Sequence, residues 1–226
     1  TAANDPEHAV EIRTSVLPKY EVPVTETPGL IAEDRLAMRH MTDGGFLDME
    51  NLANLDEDKL VEGLEILTDD YALWIDEQKR RMGVEVKGFD NAATVAMDRC
   101  LIVLERLKEG INTLRTDDHA LKAFRFANRA MALQRVRSIY ALEKRRGEKP
   151  EFSSLNVRKN RSWRPFQLAF ILLSLPALAK PEHDDRTKSL DAYADLLWFP
   201  TGGGKTEAYL GVAAFAMAIR RLQGNL

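Results

Sequence analysis

Residues 192–210 constrain this chain more than any other stretch. Residues 192–199 are mostly apolar and stop at Pro200, which reads as a short strand covered on both faces. Pro200 has no N–H to give and so ends sheet pairing. Gly202, Gly203 and Gly204 come next. Glycine reaches positive φ without steric cost, so three in a row let successive amide N–H groups turn inward as a nest for an anion. Lys205 then opens a helix whose positive end faces that nest. Strand, turn and helix in this order make a phosphate-binding loop. The amides of Thr201, Gly202, Gly203 and Gly204 are expected around the α and β phosphates of a nucleotide. Lys205 is expected on the β and γ phosphates, and the Thr206 hydroxyl on a Mg2+ ion.

The loop departs from the general G-x-x-x-x-G-K-[ST] pattern at its first position, which is Phe199 instead of glycine. A nucleotide-kinase loop has glycine there. The remaining positions, Pro-Thr-Gly-Gly-Gly-Lys-Thr at 200–206, are complete. A glycine-rich turn with an incidental lysine would explain the glycines, but not the agreement of strand, proline, lysine, threonine and helix.

The rest of the chain is of globular type. Its 226 residues, close to half of them hydrophobic, suffice to bury a sizeable core. No apolar run reaches the roughly 18 residues of a membrane span. The nearest candidate, residues 168–179, is broken by Ser174 and Pro176. With no cleavable apolar leader at the N-terminus, the expected location is cytoplasmic, with no membrane partner. Cys100 is the only cysteine, which excludes an intrachain disulfide. His8, His40, His119 and His183 lie scattered, so no structural metal is expected.

Residues 1–30 carry Pro6, Pro18, Pro23 and Pro28 among β-branched and charged residues, as an extended arm would. A short helix containing Leu36, Met38 and Met41 should end before Gly44, with a polar link to follow. Three long amphipathic patterns come next. The first spans 56–82, with Gly83 as its stop; the second spans 90–114. The third begins behind Asp117 and Asp118, a plausible N-cap pair, and continues to Gly147. A polar linker at 147–161 should lead into an apolar helix at 168–175. A polar loop at 180–191 then precedes the strand, and an all-round apolar helix at 208–222 should pack on a sheet. The expected fold class is a mainly α N-terminal domain followed by the beginning of an α/β RecA-like lobe. The divisions are an arm at 1–30, a helical domain at 31–158 and the start of the lobe at 159–226.

Charge is spread unevenly. Residues 122–164 hold thirteen lysines and arginines against Glu143, Glu148 and Glu151, in a chain whose net charge is −3. Lys122, Arg125 and Arg129 share one helical face, which offers a phosphate-tracking surface for DNA. A solvated face, with the cations at 144–146 favoured by the helix dipole, accounts for the same residues.

The pairing of Arg164-Pro165-Phe166-Gln167 with Pro-Thr-Gly-Gly-Gly-Lys-Thr-Glu-Ala-Tyr at 200–209 resembles the superfamily 2 helicases and translocases. The resemblance implies that Gln167 reads the adenine edge of ATP and that Arg164 packs on the adenine ring. It also gives Lys205 and Thr206 their catalytic and Mg2+-binding roles. An amide donates to and accepts from adenine at once, and a guanidinium stacks on a flat π face. More narrowly, residues 124–131, 163–173 and 196–210 resemble the large helicase of the DISARM bacterial anti-phage defence system. That likeness implies DNA-stimulated ATP hydrolysis, DNA loading or translocation, and a second DISARM subunit carrying a domain of unknown function as partner.

One departure from that family matters for chemistry. No Asp-Glu-x-His or Asp-Glu-Ala-Asp sequence occurs, so the carboxylates that hold magnesium and activate water in the second motif are missing. The coupling motif and arginine finger that follow are missing too. A phosphate loop positions a triphosphate, while hydrolysis also needs an oriented water and charge neutralisation. The 226 residues are therefore expected to bind nucleotide without turning it over, as the N-terminal part of a longer motor. Two alternatives stay open: a catalytically incomplete nucleotide-binding or DNA-clamping scaffold, and a nucleotide or sugar kinase. The kinase leaves Arg164 and Gln167 without a role.

Overall fold

Apolar residues recurring at steps of three and four produce three long helices in the middle of the chain. The computed structural model describes residues 35–188, 194–197 and 204–224, so the expected arm at 1–30 lies outside the described residues. Helix α1 (Leu36–Asp43) buries Met38 and Met41 and closes at Gly44, as its sequence suggests. The expected polar link holds a short helix, α2 (Met49–Leu52), because the Asp48 carboxylate accepts the Glu50 N–H at 3.0 Å and caps it.

The long helices are α3 (Glu57–Glu85), α4 (Asp90–Thr116) and α5 (Asp118–Arg145). Gly83 does not stop α3, contrary to expectation. A helical glycine costs only about 1 kcal/mol relative to alanine, and the chain turns later, at Gly88 with φ 81°. Between α4 and α5 a single residue, Asp117, reverses the chain. Its carboxylate accepts from the His119 and Ala120 N–H groups at 2.8 and 3.1 Å, so the expected N-cap is in place.

The stretch expected as a linker at 147–161 contains a one-turn helix, α6 (Phe152–Leu155), and a 3-10 turn at Arg158–Asn160. Helix α7 (Pro165–Ala179) starts with proline at its first position, where the missing N–H costs nothing. Helix α8 (Asp184–Thr187) is one turn within the expected polar loop, and α9 (Lys205–Leu222) follows Gly204.

Buried residues from Met38 to Ile219 form one contiguous cluster, with α7 at its centre. Helix α7 lies against α4 and α9, and α9 also lies along α5. Gly110 allows α4 to approach α7 so closely that any side chain there would collide with the Leu172 carbonyl. A clip joins residues 47–49, between α1 and α2, to the entrance of α7. Trp163 N–H donates to the Leu47 carbonyl at 2.8 Å and Met49 N–H to the Arg161 carbonyl at 3.1 Å. Arg161 grips the buried Asp48 carboxylate at 2.9 and 3.2 Å and also reaches Glu50. The hydrogen bond to Asp48 raises the Arg161 pKa further above its ordinary value.

The expected α/β half of the fold requires correction. No strand occurs among the described residues, and no RecA-like sheet is seen. Of the expected strand at 192–199, only residues 194–197 are described; they form no regular element, and Leu196 is 82% exposed. A strand must hand its N–H and C=O groups to a neighbour, and no sheet partner stands among the described residues. Helix α9 correspondingly packs on helices and not on a sheet. It buries Ala208, Ala214, Phe215 and Ile219, while Met217 is 66% exposed on its other side, with Tyr209 and Leu210 exposed as well. No helix among the described residues is long and apolar enough to cross a membrane.

Candidate functional site

The first turn of α9 meets the first turn of α7 at one hydrogen-bonded junction. Gly204, the residue before α9, sits in the left-handed region at φ 88°, ψ 22°. Its carbonyl accepts from Gln167 Nε2 at 2.7 Å. At the other end of the same amide, Gln167 Oε1 accepts the Arg164 N–H at 2.8 Å. Gln167 is only 4% exposed, and satisfying both ends of its amide is what makes that burial tolerable. A side chain at Gly204 would begin 2.6 Å from Gln167 Nε2. Gly204 is therefore required twice, by its backbone angle and by the amide pressed against it.

A polar cavity of about 220 Å3 opens at this junction. Arg135, Ser162, Arg164, Gln167, Gly204 and Glu207 line it, over Met49. Arg135 comes from the middle of α5, and its guanidinium donates to Glu207 Oε1 at 2.8 Å. The entrance of α7 is held by the clip to residues 47–49. It is also held from below, where Trp163 Nε1–H donates to Asn128 Oδ1 at 2.8 Å within the core. The elements that shape the cavity are thus fixed by buried contacts, as a preorganised site needs.

Of the residues expected to bind nucleotide, Arg164, Gln167, Gly204, Lys205 and Thr206 lie at or next to this junction, while Thr201, Gly202 and Gly203 fall outside the described residues. Lys205 and Thr206 form the first turn of α9 beside Gly204, with the Thr206 side chain exposed. This arrangement fits a phosphate-bearing ligand. A glycine that tolerates no Cβ precedes a helix N-terminus, the first turn carries an ammonium and a hydroxyl, and two arginines line the adjoining cavity. Thr206 would hold Mg2+ together with the ligand's own phosphates. No cluster of three acidic, histidine or cysteine side chains able to bind a metal occurs among the described residues.

Gln167, expected at the adenine edge, makes two hydrogen bonds within the protein. Its amide bridges Arg164 to Gly204, tying the two motif segments across 37 positions of sequence. The basic trio lies along another part of α5. Lys122 is exposed. Arg125 donates to the Leu55 carbonyl at 2.7 Å, and Arg129 reaches Asn54 Oδ1 at 3.3 Å. Two of the three cations thus have structural partners in the turn between α2 and α3.

Sequence reasoning did not find Arg135 or Glu207 as site residues. Glu207 follows Thr206 directly and had a local signal, an acid in the first turn of a helix. Arg135 had none, being one cation in a basic window and 72 positions away from its partner.

No family model matches the chain. Over 224 residues, 97% of its length, the chain is 33% identical to DISARM protein DrmA of Bacillus paralicheniformis (strain ATCC 9945a / NCIMB 11709 / CD-2). It spans 18% of the length of that relative. The chain is thus similar, nearly from end to end, to one segment of a DISARM protein.

Proposed function

We propose that this chain is the nucleotide-binding entry segment of a superfamily 2 DNA helicase or translocase that works in DISARM anti-phage defence. The observation that carries the reading is the bond from Gln167 to Gly204. Two separate sequence elements, Arg164 to Gln167 and the loop ending at Thr206, meet where an ATP-binding motor needs both. In this reading Lys205 and the amides at the start of α9 bind the triphosphate, Thr206 holds Mg2+, and Arg164 packs on the adenine, tied to the loop end by Gln167. The Mg2+ ion, when bound, neutralises phosphate charge and supplies a Lewis acid. The chain's own residues bind and orient. DNA is the proposed polymer substrate, and the second DISARM subunit with a domain of unknown function is the proposed partner.

The complete protein should show DNA-stimulated ATP hydrolysis, and Lys205→Ala should reduce it at least a hundredfold, because the lysine neutralises charge that grows toward the transition state. Unchanged turnover in that variant overturns the reading. One observation favours the scaffold as a second reading. Glu207, the only carboxylate lining the cavity among the described residues, is paired with Arg135 and is not placed to activate water. The scaffold predicts ATP binding without hydrolysis in the complete protein, with or without DNA.

A further inference from the structure

The pair formed by Arg135 and Glu207 stands where a triphosphate would otherwise meet a negative charge. Glu207 is the third residue of α9. Its Oε2 lies 3.4 Å from the point where a Gly204 side chain would begin, so the carboxylate leans back over the end of the loop. Its Oε1 accepts from Arg135 at 2.8 Å. The two side chains are 35% and 23% exposed, a setting less screened than open water. A bare carboxylate here would repel an incoming polyphosphate, while an arginine released from it would attract one.

We infer that Arg135 is a positioning residue for the nucleotide site. It holds and neutralises Glu207 so that a nucleoside triphosphate can settle at the start of α9, and it makes nucleotide affinity depend on the seating of α5. The inference rests on the nucleotide reading above. It adds that the helical unit supplies a side chain on which that binding depends. A purely structural pair, tying α5 to α9 and complementing the helix dipole, has the same geometry but a different response to mutation. In the structural case, loss of either partner weakens the site. In the compensation case, the two partners act with opposite signs.

Equilibrium binding of radiolabelled MgATP to the complete protein separates these possibilities, using Lys205→Ala, Arg135→Met, Glu207→Gln and the double variant Arg135→Met with Glu207→Gln. The expected order is clear. Arg135→Met raises Kd about tenfold, and Glu207→Gln lowers it several-fold, because Arg135 becomes available to phosphate. The double variant returns close to wild type. The gap between Arg135→Met and wild type should narrow as salt rises from 0.05 to 0.5 M, since the effect is one of partly exposed charge. Loss of binding in Lys205→Ala with wild-type binding in Arg135→Met overturns the inference and leaves the nucleotide reading standing. Wild-type binding in Lys205→Ala overturns both. Weaker binding in Glu207→Gln, or a double variant no better than Arg135→Met, assigns the pair to structure alone and overturns the inference. The sign of the Glu207→Gln change decides the matter even if Arg135→Met fails to fold.

Discussion

Gly204 is the residue on which the junction turns, because any side chain there meets two penalties at once. Its φ of 88° lies where an L side chain is strained, and the Gln167 amide fills the space. Gly204→Ala should lower stability by about 1–3 kcal/mol and remove nucleotide binding, with melting temperature and MgATP titration as the checks. Asn128 makes a comparable point within the core. Its Oδ1 accepts from Trp163 Nε1–H, and its Nδ2–H donates to the Phe124 carbonyl. Asn128→Ala strands a buried indole N–H, a loss of about 1–3 kcal/mol by denaturant unfolding. The glycine was legible in the sequence because motif and backbone requirement coincide at one position. Asn128 was not, since a mid-helix asparagine looks the same whether it faces solvent or a tryptophan 35 positions away.

Among the elements, those with local causes were the ones the sequence exposed. The apolar faces of α3, α4 and α5 and the Asp117 cap depend on neighbours three and four positions apart, so pattern alone located them. Asp117→Ala should destabilise the chain by about 1 kcal/mol, read as a shifted urea midpoint with unchanged slope. Gly83 misled because its effect on a helix is weak and the ladder of hydrogen bonds runs past it. The strand misled for a different reason. The apolar run at 192–199 says nothing about whether a sheet neighbour exists, and at 194–197 the structure has none among the described residues. Close contact between α4 and α7 was equally invisible, because it is made at Gly110 against the Leu172 backbone. Gly110→Val should cost about 2–3 kcal/mol through forced separation of the two helices.

Across the whole molecule, the basic window at 122–164 divides into structural and exposed parts. Arg125 and Arg129 keep their charge but are tied to residues 54–55, whereas Arg135 is offset by the Glu207 carboxylate. Lys122, exposed on α5, is the cleaner probe of the proposed DNA surface. Lys122→Glu should weaken DNA binding and flatten its salt dependence by about one counterion; no change in either leaves that face merely solvated. Likeness to a segment of DISARM protein DrmA and the joining of two motif elements at the start of α9 point to the same proposal, a nucleotide site in a defence motor. Hydrogen exchange with and without MgATP tests that claim most directly. Slower exchange is expected in the peptides covering residues 164–168 and 204–208 together, with little change in the peptides covering residues 105–109 and 182–188, which line a separate cavity. Unchanged exchange at both junction peptides under saturating MgATP would contradict it.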